Sequence, residues 1–331
     1  MPFTRLTSED GLGNNSVQCI LQGRDGIMWI GTNGGLNRYD GAAFIQYNIL
    51  SKPALSSNVI TALLEDDAGN IWIGTDNGLD ILNPVNNSIR LFSHSDLSST
   101  ALSPGPVKAL QKMKDGSIWI LSSTQITAYT LQNGFRRLRL DSSLLGPTKV
   151  FTSLTPNGAH RLWISYLDQP ATQVVRYTAE EGNDSIGSTG LSWPGCSLAW
   201  SDSLHQDWGI SYFGVTRYDE TTGRFKTWLT NKSAQKIPDL HLYTCYCADA
   251  EGNIWEGSKQ INLVKYDIRH RQTIDYSGLL QSCNATMVYC IYKDNNNTLW
   301  IGTDNGIIRL SNHNFLFTPI MGMLDGREHQ I

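Results

Sequence analysis

The chain has 331 residues, with 26 Lys and Arg against 30 Asp and Glu and a formal net charge of −4. Its charged fraction of 17% lies below the roughly 25% of ordinary globular proteins, which argues against binding nucleic acid by neutralising phosphates. No apolar run approaches the about 18 residues that span a bilayer. We therefore expect no membrane span and no direct nucleic-acid contact in this chain.

The first 50 residues predict five short strands. Phe3–Leu6 comes first, and its flank Met1–Arg5 lacks the apolar core of a signal peptide, so the chain as given is expected to carry no export signal. Four strands separated by turn residues follow, at Val17–Leu21, Met28–Thr32, Leu36–Asp40 and Ala43–Tyr47.

This four-strand unit recurs around a tryptophan. Trp29, Trp72 and Trp300 each begin a Trp-Ile-Gly-Thr segment. Weaker copies centre on Trp119, Trp163, Trp208 and Trp255, and the seven tryptophans are spaced by 43, 47, 44, 45, 47 and 45 residues. Such a period with four strands per unit is typical of propeller blades. The sequence predicts an all-β fold, a seven-bladed β-propeller with four antiparallel strands per blade, over residues 1–311. We expect residues 312–331 to be an outer strand or a linker towards a following domain.

The turn before each repeat tryptophan supports the same unit. Three residues before that tryptophan, one left-handed turn position explains the residue types found, because Gly adopts positive φ freely and Asn and His are enriched there. The residues are Gly26, Gly69, Gly116, His160, His205, Gly252 and Asn297.

Closing a ring of blades requires a strand from each end of the chain. Phe3–Leu6 resembles the fourth-strand segments Phe44–Tyr47 and Phe225–Trp228. It is therefore predicted to become the outer strand of the last blade, which would leave no open sheet edge. Phe315–Phe317 competes for the same position.

The six cysteines form no pattern of a metal site or a disulfide framework. Cys19, Cys245 and Cys290 each lie ten residues before a repeat tryptophan, where two other blades carry Ala62 and Ala109. This spacing predicts a slot for small residues on the innermost strand. We expect no metal and no cofactor.

The motifs of the first unit resemble the two-component-regulator propeller repeat, through Gly11–Val17, Asp25–Gly26, Trp29–Thr32 and Gly35–Gly41. The resemblance extends over all seven units and is weakest in blades four and five. It implies a periplasmic sensor propeller of a hybrid two-component system from Bacteroides-type bacteria. Such a sensor binds an oligosaccharide derived from a polysaccharide and signals to a histidine kinase that lies elsewhere in the parent protein. The chain would then be an excised or truncated first propeller, whose expected partners are further sensor domains of the parent and a second copy in a homodimer of the parent.

Two other functions stay open. The Gly-Asn-Ile-Trp elements at Gly69–Trp72 and Gly252–Trp255 also resemble streptogramin lyases, whose chemistry would need a general base, for which His241 is the one candidate. The other is a scaffold that binds proteins. Hydrolase and nucleotide-binding motifs are absent from the sequence, so no catalysis is expected in this chain.

Strand order places the candidate ligand surface on one face of the ring. Loops that enter the innermost strands and loops that join second to third strands emerge together around the central channel. Sugars are recognised there by aromatic faces and oriented polar side chains. The entry-loop candidates are Asn15, Asn58, Lys149, Trp193, His241 and Asn284. The second-to-third-loop candidates are Asn33, Asp76, Tyr166, Tyr212, Lys259 and Asp304. Away from this face, Thr178–Gly190 is predicted to be a mobile surface loop.

Overall fold

The computed structural model describes residues 3–93, 105–123, 125–140, 149–156, 161–168, 171–179, 185–194, 196–201, 206–211, 214–219, 221–230, 245–258 and 262–311. Almost all regular structure in these residues is β-strand. Two short helical turns accompany the strands, a 3-10 helix at Ser8–Asp10 and an α-helix, α1, at Ser277–Ser282.

The N-terminal strand and the first three blades follow the predicted pattern of four strands per unit. In each blade the strands pair antiparallel in sequence order, from the innermost to the outermost. These strands are β1 (Phe3–Leu6); β2 (Val17–Gln22), β3 (Met28–Thr32), β4 (Gly35–Tyr39) and β5 (Phe44–Tyr47); β6 (Ile60–Glu65), β7 (Ile71–Thr75), β8 (Gly78–Asn83) and β9 (Ser88–Ser93); and β10 (Val107–Lys112), β11 (Ile118–Ser122), β12 (Ile126–Thr130) and β13 (Gly134–Arg137).

Blade four departs from this pattern because its sheet has five strands. Arg139–Leu140 pairs parallel with the outermost strand at Ser185 and Ile186, so a short fifth strand is added to the four predicted antiparallel strands. The predicted loop at Thr178–Gly190 is also largely strand, because both ends of the segment continue a long hairpin. The strands are β14 (Arg139–Leu140), β15 (Lys149–Pro156), β16 (Arg161–Asp168), β17 (Ala171–Ala179) and β18 (Ser185–Pro194).

The last three blades return to four antiparallel strands. Blade seven takes its fourth strand from the other end of the chain, where β1 pairs with β29. The strands are β19 (Cys196–Ser201), β20 (Asp207–Ser211), β21 (Gly214–Asp219) and β22 (Arg224–Thr230); β23 (Cys245–Ala248), β24 (Ile254–Ser258), β25 (Asn262–Asp267) and β26 (Gln272–Asp275); and β27 (Val288–Lys293), β28 (Leu299–Thr303) and β29 (Gly306–Leu310).

The pairing of β1 with β29 joins the two ends of the repeat array. Phe3 lies opposite Leu310 and Leu6 opposite Ile307 in an antiparallel register. The Arg5 guanidinium reinforces this junction, donating to the Asn305 carbonyl from Nε at 3.2 Å and from Nη2 at 3.0 Å. The prediction that the N-terminal segment supplies the outer strand of the last blade is confirmed.

Each sheet packs on the next, and the seventh packs on the first. Buried clusters join blades one and two, two and three, three and four, five and six, six and seven, and seven and one. Blades four and five meet where the Trp163 ring lies 6.2 Å from Tyr218 and 5.4 Å from Phe225. All seven repeat tryptophans are only 1–6% exposed. The predicted seven-bladed β-propeller is therefore confirmed.

The turns before the repeat tryptophans adopt the predicted left-handed conformation. Gly26, Gly69, Gly116 and Gly252 have φ between 80° and 85°, and Asn297 has φ of 61°. The two histidine positions, His160 and His205, lie outside the described residues. These turns define one mouth of the central channel, here called the opposite mouth. The entry mouth is the other end, where the chain enters the innermost strands.

The small-residue slot is also present. In blade one, a Cβ added to Gly31 would lie 2.5 Å from Cys19 Sγ, and in blade seven a Cβ on Gly302 would lie 2.5 Å from Cys290 Sγ. Because the innermost strands converge towards the axis, the second strand must carry glycine where it passes these thiols. Burial raises the pKa of the Cys290 thiol to about 12.

A β-bulge interrupts the innermost strand of six blades near its start. One residue of that strand has no partner on the second strand, since the register shifts around it. Bulges of this kind re-aim a side chain and are frequent at rims and next to functional sites. The bulged residues are Gln18, Thr61, Lys108, Thr152, Ser197 and Tyr289.

Candidate functional site at the entry mouth

The structure brings the predicted entry loops and second-to-third turns together in three neighbouring blades. The same backbone hydrogen bond fastens them in each case. The donor is the amide of Asn33, Asp76 or Asp304, and the acceptor is the carbonyl of Ser16, Val59 or Met287, at 3.1, 3.2 and 3.3 Å respectively. Six of the nominated residues thus lie on one rim, which runs from blade seven through blade one to blade two.

In blade one, the nominated asparagines differ in how they are used. Asn15 Oδ1 accepts a hydrogen bond from the Ser8 amide at 2.8 Å, and the Asn15 carbonyl accepts one from the Gly306 amide of blade seven at 2.7 Å. Asn15 therefore stabilises the junction of the two blades. Asn33 is exposed, and its Nδ2 donates to Ser16 Oγ at 3.1 Å, which leaves its carbonyl oxygen directed to solvent.

In blade two, the acidic candidate is the more available residue. Asn58 is half-buried and its Oδ1 accepts from the Ile49 amide at 3.0 Å, so it holds the entry loop in shape. Asp76 is exposed, and its carboxylate has no hydrogen-bond partner among the described residues. The Asp76 carboxylate is thus an open acceptor on the rim.

In blade seven, the acidic candidate is engaged by its own entry loop. Asp304 Oδ1 accepts from the amides of Thr286 at 2.9 Å and Met287 at 3.1 Å, and Oδ2 accepts from the Thr286 hydroxyl. Burial acts to raise the pKa of Asp304, but these hydrogen bonds outweigh it and hold the pKa below its usual value. Asn284, with φ of 52°, presents an exposed carboxamide.

Of the other six candidates, the structure describes three, at least in their backbone. Tyr166 is 4% exposed and packs in the cluster between blades three and four, with its ring centroid 6.5 Å from that of Phe151. Lys149 begins β15, and Trp193 belongs to β18, opposite Val174, rather than to an entry loop. Tyr212, His241 and Lys259 lie outside the described residues.

Sequence reasoning missed the bulged residues, which reach the same mouth. Ser16 Oγ accepts from Gln18 Nε2 at 3.0 Å as well as from Asn33 Nδ2, so Gln18 is linked directly to the nominated rim. Tyr289 likewise donates its hydroxyl to Met287 Sδ at 3.4 Å, in the entry loop of blade seven. The signal was present in the sequence, because the residue eleven places before every repeat tryptophan is polar.

The entry mouth therefore offers amides, hydroxyls and a carboxylate over a rigid ring. Such groups suit a ligand that is rich in hydroxyls, since each can donate or accept in a fixed direction. Among the described residues, no group of three or more His, Cys, Asp or Glu side chains could hold a metal ion. None of the helices in the described part of the chain has the length and hydropathy needed to cross a membrane.

Comparison with solved structures supports the fold and indicates a context. The extracellular domain of a hybrid two component system from B. thetaiotaomicron superposes with a TM-score of 0.73 at 19% identity, covering 94% of this chain and 42% of that one. The extracellular domain of a one component system from the same organism gives 0.71 at 20% identity, covering 93% and 39%. The present chain thus spans less than half of either domain.

A third neighbour is an enzyme. Virginiamycin B lyase from Staphylococcus aureus superposes with a TM-score of 0.64 at 14% identity, covering 93% of this chain and 98% of that one. No curated protein sequence matches the chain. At these identities, the structural likenesses establish the propeller fold alone.

The sequence match is more specific than the structural likenesses. Residues 11–34, 54–77 and 284–305 match the two component regulator propeller family. These are the segments that build the entry mouth of blades one and two and of blade seven, and they coincide with the strongest copies of the repeat. The chain is therefore a seven-bladed β-propeller in which segments of blades one, two and seven match two component regulator propeller repeats.

Proposed function

We propose that this propeller is an extracytoplasmic, periplasmic sensor module of a hybrid two-component system. It takes part in recognising an oligosaccharide released from a polysaccharide, and its parent protein passes the signal to a kinase and so to transcription. The main support is the repeat family itself, whose three matching segments form the polar rim. Further sensor domains of the parent are its partners, in line with the short share of the extracellular domains that the chain covers.

The rim supplies the binding chemistry for this role. Asn33, Asp76 and Asn284 are exposed there on backbone that is hydrogen-bonded into the blades. Polar groups that are already held in position bind a sugar without the entropic cost of ordering a loop. The chain itself carries out no catalysis in this proposal.

A lyase function is the second candidate because the virginiamycin B lyase superposes over nearly its whole length. A lyase function predicts that the chain turns over a streptogramin and that His241→Ala abolishes this turnover. Binding of a sugar without turnover of a streptogramin favours the sensor function. Turnover of a streptogramin by the chain would overturn the sensor function.

The proposal is tested by thermal unfolding of the intact chain with a panel of polysaccharide-derived oligosaccharides. A ligand that binds only the native state raises the melting temperature by mass action. We expect one sugar class to give a saturable shift that Asn33→Ala reduces. Asn296→Ala is the matched control, since Asn296 is an exposed asparagine at the opposite mouth. Equal loss of the shift in both variants, or no shift with any sugar, would contradict the proposal.

A further inference from the structure

The bulged residues form a collar around the channel just inside the entry mouth. An innermost strand has a sheet neighbour on one edge and a blade against each face, so its side chains reach solvent only through the channel or its mouths. Lys108 is nevertheless exposed on β10, and Gln18, Thr61 and Tyr289 are half-buried on their own innermost strands. Their exposed atoms therefore face the channel or the entry mouth.

The collar residue of blade two contacts the next innermost strand. Thr61 Oγ1 donates to the carbonyl of Val107 at 2.6 Å, on the next innermost strand and one residue before Lys108. Gln18 and Tyr289 turn towards the entry mouth through their hydrogen bonds to Ser16 and Met287. The collar residues of blades seven, one, two and three thus place polar groups at the same end of the channel.

The charge at the collar positions is positive and comes from a lysine. The seven equivalent positions hold one lysine, one glutamine, one tyrosine, three threonines and one serine, and no acid. Within the described part of the chain, the Lys108 ammonium has no hydrogen bond or ion pair. The rim acids are not on innermost strands: Asp304 is held by its entry loop, and Asp76 is on the turn between the second and third strands of blade two.

An unpaired cation in a channel with low-dielectric walls focuses its field on a ligand that enters. Ammonium groups form short, strong hydrogen bonds with carboxylate and sulfate oxygens. A neutral sugar would leave the Lys108 charge without a partner.

We propose that the collar is a binding subsite for an acidic oligosaccharide, with Lys108 pairing with a carboxylate or sulfate of the sugar and Gln18, Thr61 and Tyr289 binding its hydroxyls. This inference rests on the proposed function and specifies its ligand class. In this proposal Lys108 recognises the charge of the sugar, and the other collar residues and the rim recognise its hydroxyls.

Titration calorimetry of the intact chain tests this inference. The probes are oligogalacturonides and their methyl esters of equal length, which share one backbone and differ in carboxylate charge, with a sulfated disaccharide as a third probe. We expect an acidic probe to bind and the neutral one to bind at least tenfold more weakly. Lys108→Gln should weaken acidic binding at least tenfold, the loss expected for one hydrogen bond to a charged group.

Two further variants control for folding and for general charge. Lys108→Arg keeps the cation and should retain binding within about threefold. Lys114→Gln removes an exposed lysine of the same blade at the opposite mouth and should leave affinity within about twofold. Neutral sugars that bind as tightly as acidic ones, or Lys108→Gln that binds like the wild type, would overturn the acidic subsite while leaving the sensor function intact. Failure of every sugar to bind would overturn both.

Discussion

Asp80 is a buried carboxylic acid at a position where blade one has an asparagine. In blade two its side chain is 0% exposed, Oδ2 accepts from the Ser56 amide at 2.8 Å, and Oδ1 has no hydrogen-bond partner. In blade one the equivalent residue is Asn37, whose Nδ2 donates to the Ile30 carbonyl at 3.2 Å. We predict that Asp80→Asn restores this missing bond and stabilises the protein.

The magnitude follows from the unpaired oxygen. A buried polar atom without a partner costs about 1–3 kcal/mol, so Asp80→Asn should raise the free energy of unfolding by about that amount near neutral pH. Burial raises the pKa of Asp80 above its usual value, although Ser56 donates to it. The native state therefore keeps a proton that the unfolded chain loses, and wild-type stability falls as pH rises from the unfolded pKa, about 3.9, through the raised native value.

Urea unfolding at several pH values measures both effects. The advantage of Asp80→Asn should be smallest at pH values below the unfolded pKa and should grow as pH rises through the raised native pKa. Asn37→Asp is the mirror variant in blade one, and it should lose a similar free energy with the same direction of pH dependence. The reasoning would be refuted if Asp80→Asn destabilised the protein at pH 8, or if its effect were the same at every pH.

Three other predictions concern buried groups. Burial raises the pKa of Glu256 to about 7 even though Tyr266 donates a hydrogen bond to it. The free energy of unfolding should therefore fall by up to about 3 kcal/mol as pH rises from about 5 to 8. In Glu256→Gln, urea unfolding should show little of this pH dependence. Asp294 accepts from Trp300 Nε1 at 2.8 Å, so Asp294→Ala should cost about 2–4 kcal/mol by the same assay, and a change below 0.5 kcal/mol would contradict the anchoring role. At pH 8, iodoacetamide should alkylate Cys290 much more slowly in the native chain than in urea, as followed by peptide mass spectrometry, because its raised pKa keeps the thiol protonated. Equal rates would contradict the raised pKa.

The blade architecture could be predicted because every repeat has the same two local requirements. The repeat tryptophan must be buried between blades, and the turn before it needs a left-handed residue. Those two demands fix spacing and residue type, so the positive φ of Asn297 could be predicted as readily as that of Gly26. Closure by β1 could be predicted for the same reason, since Phe3–Leu6 carries the pattern of a fourth strand.

The departures depend on pairing and local packing that no repeat pattern encodes. The parallel partner of β18 is only Arg139–Leu140, too short to show a strand period. Asn15 and Asn58 were nominated for their exposed-turn sequence, but their Oδ1 atoms are used to hold backbone amides. Tyr166 is buried because it lies three residues after its repeat tryptophan, where Thr32, Thr75 and Thr303 are also buried within the second strands of their blades.

The central claim is that the entry mouth is where ligand binds. Hydrogen–deuterium exchange of the intact chain, with and without the oligosaccharide that gives the largest thermal shift, tests it most directly. Protection should be confined to peptides that cover residues 13–18, 56–61 and 284–289, and the turns at 23–27, 66–70 and 294–298 should exchange at unchanged rates. Protection confined to those opposite-mouth turns, or a thermal shift without protection at the entry mouth, would contradict the claim.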